Sequence, residues 1–389
     1  MNSQVASDPA LADDLDAYRA ALGAWLDAHD AVLERQRGFH SPEFAAISER
    51  QRELQSALFD AGWVLWGWPT DVGGLGGDAR HRGTLYDELC VRRVPVPESY
   101  YTLETLVPML AEYAPALARE HLHALLRADE TWCQGFSEPD AGSDLASLRT
   151  RAVLDGDVWV LDGHKVWTSQ VSVSQRCVVL ARTGTPESRH RGLSMFLVDH
   201  DAPGVTTRPI RAMSGRDEFG EILFDGVRVG RDRLLGGEGD GWAIAMYLLQ
   251  WERGMYPWQR QAGLLAVLDR LVDERADEAE PIEPADLARA YLSVLPMRIS
   301  SRNTIHRLAA GESPGPEVSI DKVLLARAEL EVFGLARSQF APMFELDDGD
   351  VAEGWRHDYF FSRAAPIYGG SIEIQRTILA ERVLGLPRG

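Results

Sequence analysis

Lysine is almost absent from this chain, and the shortage of basic residues excludes one class of partner. Only Lys165 and Lys322 are lysines among the 389 residues, so arginine supplies the other basic charges. Acidic residues outnumber lysine and arginine together, which leaves a formal net charge of −19. A nucleic-acid-binding surface needs clustered basic residues. We therefore expect no nucleic-acid partner.

Cysteine is also scarce, and Cys90, Cys133 and Cys177 are the only thiols. Their spacing matches no metal-ligand pattern, and an odd count does not suit a disulfide framework. The sequence therefore predicts reduced, mostly buried thiols and no metal site.

Long apolar runs are missing as well. A membrane-spanning helix needs about 20 consecutive apolar residues, and the chain has no such run. Its acidic N-terminus, MNSQVASDPALADDLDAYRA, lacks the basic region and apolar core of a signal peptide. These absences predict a cytoplasmic protein with no membrane contact. The apolar content of 45% is nevertheless ample for a sizeable core.

Hydrophobic periodicity divides the chain into three regions. Apolar residues recur at helical spacing in the first third of the chain and again after residue 242. Between these regions, short β-branched and aromatic runs alternate with turns, and Asp155-Gly156 and Asp162-Gly163 are turn signals. This order suits two helical domains and a small barrel or sandwich. The predicted domains are an N-terminal α domain (1–130), a middle β domain (131–237) and a C-terminal α domain (238–389).

The segment from Thr131 to Thr150, TWCQGFSEPDAGSDLASLRT, crowds small and polar residues into the turn between two predicted strands. Such loops direct backbone N–H groups and hydroxyls toward a phosphate or a ring carbonyl. The string resembles the flavin-loop signature of the acyl-CoA dehydrogenase family, T/S-E-P-x-A-G-S-D, at seven fixed positions in a run of eight. The alternative interpretation is an ordinary β-turn rich in serine and glycine.

Two further segments carry the same resemblance. DGHKVWTSQ (162–170) is similar to the family's G-x-K-x-W-I/V-T/S segment, and IYGGSIEIQRTILAERVLGLPRG (367–389) is similar to its terminal Y-x-G-T-x-x-I-Q-R segment. A core tryptophan on a strand and a plain glycine-rich turn are the alternatives. The three segments span residues 131–389, whereas the helical N-terminal part agrees only in general pattern.

The resemblance implies an α+β multidomain fold, with an N-terminal helical domain, a middle β-barrel domain and a C-terminal four-helix bundle. It also implies FAD as the cofactor. Hydrogen bonds from such segments to the edges of a bound flavin tune the flavin's electronics. The residues that it assigns to cofactor binding are Gln134, Phe136, Ser137, Ser143, Trp167, Thr168, Ser169, Ser371 and Glu373.

The family's chemistry requires a carboxylate base that removes the α-proton of an acyl thioester. In many members this base is a glutamate directly after the terminal tyrosine, where this chain has Gly369. A second group carries it in an L-x-x-E-R pattern, which LLQWERGMY (248–256) matches. The resemblance therefore implies Glu252 as the catalytic base, and its apolar neighbours predict burial; the alternative is a solvated Glu-Arg pair. The residues that the resemblance assigns to substrate binding are Ser143, Gln250, Arg253 and Gly370.

Two motifs that usually hold the adenine half of the cofactor are missing. DERADEAEPIEPADLAR (273–289) stands in place of the R-x-x-F-G-x-x-I…Q segment, and residues 344–365 stand in place of Q-x-x-G-G-x-G. Branches of the family that act on bulky acyl groups, including steroid side chains, often show these departures. Some of those branches work as mixed α2β2 assemblies, in which a partner chain completes the cofactor site.

The resemblance implies α,β-desaturation of an acyl-CoA or acyl-carrier thioester, with electrons passed to an electron-transfer flavoprotein. It implies a homodimer, a homotetramer or a heterotetramer with a related subunit. An apolar stripe near the C-terminus suits burial between the chains of such an oligomer. Its members are Ile374, Ile378, Leu379, Val383 and Leu384. A non-catalytic partner subunit and a family member with oxidase or hydroxylase chemistry stay open as alternatives.

Overall fold

The computed structural model describes residues 8–275, 282–347 and 349–387. It divides the chain into two compact units. The helical unit comprises Met1–His40, Arg50–Glu98 and Gln250–Gly389, and the β unit comprises Ser41–Glu49 and Ser99–Leu249. Residues 276–281, in the segment that replaces the family's arginine motif, lie outside the described ranges. The predicted limits of the three domains stay predictions.

Twelve α-helices fall within the described ranges. The first six are α1 (Leu15–Ala28), α2 (Asp30–Glu34), α3 (Phe44–Asp60), α4 (Ala79–Val91), α5 (Ser99–Tyr113) and α6 (Pro115–Arg127). The last six are α7 (Gly241–Arg275), α8 (Pro284–Ala309), α9 (Ser319–Gln339), α10 (Ala341–Leu346), α11 (Asp350–Ser362) and α12 (Ile372–Ile378). Among the described residues, no helix combines the length and apolar character that crossing a bilayer demands.

Eight strands in the described part of the β unit form one sheet. They are β1 (Trp132–Gly135), β2 (Arg151–Asp155), β3 (Val158–Ser169), β4 (Arg176–Arg182), β5 (Leu193–Asp199), β6 (Val205–Ile210), β7 (Phe219–Gly230) and β8 (Leu234–Leu235). The hydrogen-bonded order is β6-β7-β3-β2-β4-β5-β8, and β1 lies parallel to β4. Trp159, Phe196 and Ile222 belong to the core on one face of the sheet. The central strands β4 and β5 are buried on both faces.

One turn prediction in this sheet is wrong. Asp155-Gly156 begins the turn between β2 and β3, as expected, but Asp162-Gly163 lies inside the continuous strand β3. The pairing register of β3 with β7 shifts between Leu161 and Gly163. A Cβ atom on Gly163 would lie 2.3 Å from Oγ1 of Thr150. The glycine therefore marks a bulge and a close approach rather than a chain reversal.

The C-terminal part of the helical unit is the predicted four-helix bundle. In the described residues, α7, α8, α9 and α11 contribute to one core through Leu268, Val294, Val332 and Trp355, among others. The Trp355 indole donates to Glu274 at 3.0 Å, and the Arg270 guanidinium lies 4.3 Å from the Trp355 ring. The shared core joins α7 and α9, and both helices carry residues of the candidate site.

Candidate active site

The loop between β1 and β2 is closed by one buried carboxylate. Glu138 exchanges backbone hydrogen bonds with Ala141 at 2.9 and 3.1 Å. Its side chain accepts from the backbone N–H groups of Arg149 at 2.6 Å and Thr150 at 2.8 Å. The carboxylate belongs to a residue at the start of the loop and accepts from N–H groups at its end, so it ties the two ends of the loop together.

Lys165 on β3 bonds to the same carboxylate. We call the Glu138–Lys165 pair and the two N–H donors of Glu138 the brace of the loop. The Lys165 ammonium donates to Glu138 at 2.8 Å and to the carbonyl oxygen of Phe136 at 3.0 Å, and its side chain is fully buried. Burial lowers the pKa of Lys165 to about 8, although Glu138 counteracts it. Burial alone would raise the pKa of Glu138, but the Lys165 charge and the N–H donors outweigh it, so that pKa is lowered. The pair is therefore charged at neutral pH.

The predicted flavin-loop residues lie on both sides of this brace. Gln134 is half-buried and donates to Thr105 Oγ1 at 2.7 Å, while Phe136 is buried. The carbonyl oxygen of Ser137 accepts from the N–H of Val166 at 3.0 Å, which brings the loop beside the strand that carries Trp167. Ser143 is exposed at the tip of the loop.

Trp167 has the geometry expected of a wall for a flat ligand. It adopts a left-handed φ of 59°, which costs a non-glycine residue about 1–3 kcal/mol and is concentrated at ligand sites. The register shift between Lys165 and Thr168 places it on a bulge, where its side chain is 59% exposed. Its ring meets Phe219 edge-on, with 6.1 Å between centroids. A large aromatic side chain is thus held open to solvent against backbone preference.

The two hydroxyl residues that follow Trp167 differ in their surroundings. Thr168 is buried, and its Oγ1 has no hydrogen-bond partner within the part of the chain that the structure describes. Ser169 is half-buried at the end of β3. A buried hydroxyl without a partner is costly unless a ligand satisfies it. The exposed indole and this hydroxyl fit an isoalloxazine ring with polar edges.

In the helical unit, the Glu252 side chain lies where a side chain at position 369 would otherwise extend. Glu252 on α7 is 6% exposed, which confirms the predicted burial. Gly369 has a φ of 63°, and a Cβ atom built on it would lie 2.7 Å from Glu252 Oε1. Real Cβ atoms do not approach so closely, so a side chain at position 369 would displace Glu252. The two positions at which the resemblance places a base therefore lie side by side in this chain.

The loop around Gly369 is held by two side chains. Arg253 donates to the carbonyl oxygen of Gly369 at 3.4 Å. Gln375, which is fully buried, donates to the carbonyl oxygens of Gly369 at 3.5 Å and Gly370 at 3.3 Å. Gln250 is half-buried on α7, two residues before Glu252. Gln375 lies in the quoted I-Q-R segment but was not among the predicted site residues.

Ser371 and Glu373 begin the last α-helix. The Ser371 hydroxyl caps α12 by accepting from the N–H of Ile374 at 3.4 Å, and Glu373 is exposed in the first turn. The cap orients the helix N-terminus, and the Ser371 O–H can still donate. Their assignment to the cofactor stays a prediction.

A group of buried and half-buried charged and phenolic side chains beside Glu252 was missed by sequence reasoning. Glu329 on α9 accepts from Arg260 Nε at 2.6 Å and from the Tyr368 hydroxyl at 3.4 Å. The Tyr256 and Tyr368 hydroxyls are 3.5 Å apart, and burial raises the pKa of both phenols. Lys322 lies over the Tyr368 ring, 3.9 Å from its centroid. The scarcity of lysine was the one signal in the sequence that could have pointed to Lys322.

The core of the β unit contains a second titratable group. Cys133, Cys177 and His200 bring their sulfur and nitrogen atoms within 4.8 Å of one another, and Cys133 Sγ is 3.5 Å from His200 Nε2. Burial raises the pKa of the Cys133 thiol, but the contacts with Cys177 and His200 outweigh it and lower that pKa. The three cysteines are free and buried, as predicted. Sequence spacing gave no sign of the cluster because its members come from separate elements.

Comparison with known proteins identifies the family of the chain. The family model "Acyl-CoA dehydrogenase, middle domain" matches residues 133–227, and "Acyl-CoA dehydrogenase, C-terminal domain" matches residues 239–384. The chain belongs to the acyl-CoA dehydrogenase family, whose members are FAD-dependent oxidoreductases. The predicted family, fold class, enzyme class and cofactor are confirmed.

Several relatives cover nearly the whole chain. It is 40% identical to acyl-CoA dehydrogenase IpdE1 of Mycobacterium tuberculosis, over 96% of this chain and 98% of the relative. It is 33% identical to acyl-CoA dehydrogenase FadE34 of the same organism, over 95% of this chain and 51% of the relative. Among solved structures, a chain of the Tcur3481-Tcur3483 steroid ACAD has a TM-score of 0.80 and 26% identity, with 100% of both chains covered. A chain of the ChsE4-ChsE5 complex from Mycobacterium tuberculosis has a TM-score of 0.77 and 26% identity, with 96% of this chain and 98% of that chain covered.

Proposed function

We propose that the chain desaturates an acyl-CoA thioester between its α- and β-carbons, and that Glu252 is the base that removes the α-proton. The observation that carries this proposal is the convergence of Glu252 with Gly369. One of the two positions that hold a base in this family has no side chain here, and a buried carboxylate fills the space beside it. Hydride can leave the β-carbon only as negative charge develops at the α-carbon, so the reaction needs a base at the α-proton.

Bound FAD supplies the hydride acceptor at flavin N5. We assign its isoalloxazine and ribityl groups to Trp167, Thr168, Ser169 and the loop braced by Glu138. The other residues proposed to hold it are Gln134, Phe136, Ser137, Ser143, Ser371 and Glu373. Arg253 and Gln375 keep the Gly369–Gly370 backbone in place beside the base. Gln250, Arg253, Gly370 and Ser143 remain the residues proposed to bind the thioester.

The substrate class that we propose is a bulky or ring-bearing acyl-CoA. Support comes from the similarity to a steroid ACAD and, at 28% identity over 87% of this chain, to cyclohexane-1-carbonyl-CoA dehydrogenase of Geobacter metallireducens. Trp258, an aromatic residue near the base, does not add to this support. Trp258 is buried and donates to the carbonyl oxygen of Gly83 at 3.1 Å, so it is a core residue.

Anaerobic bleaching of the flavin absorbance band tests the reaction and the substrate class together. We expect a CoA thioester of a ring-bearing carboxylic acid to bleach the holoenzyme at least about tenfold faster than butanoyl-CoA, because pocket shape discriminates by such factors. Dithionite reduction of the same sample is the control for a competent flavin. Faster bleaching by butanoyl-CoA would contradict the substrate class. No bleaching by any thioester would favour a non-catalytic partner subunit or other flavin chemistry.

We also propose that the chain works in the cytoplasm as an oligomer, either a homodimer, a homotetramer or a heterotetramer with a related subunit, and passes electrons to an electron-transfer flavoprotein. Two similar solved structures are named as pairs of different chains, the Tcur3481-Tcur3483 steroid ACAD and the ChsE4-ChsE5 complex. Three residues of the predicted C-terminal stripe are exposed in the isolated chain: Ile374 at 39%, Val383 at 43% and Leu384 at 71%.

Sedimentation of the purified protein at micromolar concentration checks the assembly. We expect a mass of two or four chains, because exposed apolar residues of a family oligomer are covered by a second chain. A charged substitution, Leu384→Glu, should shift the distribution toward smaller species. A single-chain mass for the unmodified protein, with FAD bound, would refute the homo-oligomer.

A further inference from the structure

Lys322 occupies an unusual place for a lysine. It is one of two lysines in the chain, and it is 3% exposed on α9. Its ammonium donates to the carbonyl oxygen of Ala365 and lies 3.9 Å from the centroid of the Tyr368 ring. Both partners belong to the segment that leads from α11 to Gly369. Lysine is almost never fully buried without a partner, so the buried charge of Lys322 must be stabilised by the groups around it.

Charged and phenolic groups face Lys322 from α7, from its own helix α9 and from the segment after α11. Glu252 and Arg253 face it from α7, Glu329 from its own helix, and the phenol of Tyr368 from the segment after α11. Burial lowers the pKa of Lys322 to about 8; Glu329 and Glu252 counteract this effect, and Arg253 adds to it. The amine is therefore mostly protonated at neutral pH.

The position of Gly369 limits the distance between Lys322 and Glu252. A Cβ atom built on Gly369 would lie 2.7 Å from Glu252 Oε1 and 3.6 Å from Lys322 Cε. The carboxylate oxygen and the Lys322 Cε atom are therefore at most about 6.3 Å apart. The two charges act on each other, since Glu252 counteracts the lowering of the Lys322 pKa, and an opposite charge nearby favours the ionised form of a carboxylate. Because both side chains are buried, salt screens this interaction weakly.

We propose that Lys322 is a positioning residue for Glu252, which keeps the carboxylate ionised and holds the Ala365–Gly369 backbone beside it. This inference rests on the proposed role of Glu252 as the base. A base must be ionised before it can accept a proton, so the countercharge extends the active form of Glu252 to lower pH. Removal of the Lys322 charge then makes Glu252 easier to protonate, and the active form appears only at higher pH.

The test is the pH dependence of single-turnover flavin reduction, measured from about pH 5 to pH 8 with the acyl-CoA that bleaches the flavin fastest. In Lys322→Met, which keeps the length of the side chain without its charge, we expect the acidic limb to move up by about one pH unit. The rate one unit below the limb should fall about tenfold. Lys322→Arg keeps the charge, and its limb should stay within a few tenths of a unit of the unmodified enzyme.

Arg327→Met is the matched control, because it removes a positive charge from an exposed position on the same helix. Its pH profile should not move. Flavin content and thermal melting of each variant separate loss of fold from loss of charge. A uniform rate loss in Lys322→Met at every pH, with an unmoved limb, would overturn the inference and leave only a structural role.

Glu252→Gln distinguishes this failure from failure of the proposed function. If Glu252→Gln loses flavin reduction and Lys322→Met shows no shift, the base assignment stands and the inference about Lys322 falls. If Glu252→Gln keeps normal flavin reduction, the base assignment and the inference fall together.

Discussion

Glu252→Gln is expected to slow flavin reduction by substrate about 10²–10⁴-fold, equivalent to roughly 3–5 kcal/mol of activation free energy. An amide has nearly the shape of the carboxyl group but no basic oxygen at neutral pH. The fold and the bound FAD should be retained, because the amide keeps nearly the shape and volume of the carboxyl group. Stopped-flow bleaching under anaerobic conditions measures the effect.

The matched control for this prediction is Glu353→Gln, an exposed glutamate on α11 of the same unit. It should reduce its flavin at the normal rate. The convergence of Glu252 and Gly369 means that position 369 offers no second carboxylate to replace the lost one. Near-normal turnover of Glu252→Gln would show that the base is elsewhere, and would favour other flavin chemistry.

Lys165→Met is expected to have the second large effect, on FAD retention and stability rather than on chemistry. The substitution leaves the Glu138 carboxylate buried without its ammonium partner, which costs about 3–5 kcal/mol when one member of a buried pair is removed. The loop between β1 and β2 should lose its fixed path. Thermal melting and the flavin-to-protein ratio after gel filtration should both decrease.

Arg151→Met serves as the control for Lys165→Met. Arg151 pairs with Asp162 at 3.4 Å on the surface of the same unit, with 65% and 41% of the side chains exposed. Exposed pairs contribute about 0–1 kcal/mol, so FAD content and melting temperature should hardly change. If Lys165→Met keeps its full FAD content and the melting temperature of the unmodified protein, the buried pair does not brace the loop.

The sequence predicted those features that local pattern determines. Alternation and turn residues predicted the β domain. The segments that carry Ser137 and Trp167 were both assigned to the cofactor, and the structure brings them together through the Ser137–Val166 hydrogen bond. The Asp162-Gly163 prediction failed because the same dipeptide serves for a turn or for a close approach inside a strand. Only the contact with Thr150 decides between them.

The roles of the two lysines could not be predicted in this way. Lys165 lies inside a quoted motif, but its partner Glu138 is on another element, and their pairing is a property of the folded sheet. Lys322, Glu252 and Gly369 come from three separate segments, and no periodicity or spacing relates them. The sequence offered a base by resemblance, whereas its countercharge and the steric reason for Gly369 required coordinates.

Deuterium incorporation at the α-carbon tests most directly whether Glu252 removes the α-proton. The holoenzyme is incubated in D₂O with an acyl-CoA whose β-carbon carries no hydrogen, so that hydride transfer cannot follow, and the thioester is analysed by mass spectrometry. The unmodified enzyme should exchange the α-proton, and Glu252→Gln should exchange it at least about hundredfold more slowly. Equal exchange by the two proteins would contradict the assignment of Glu252 as the base.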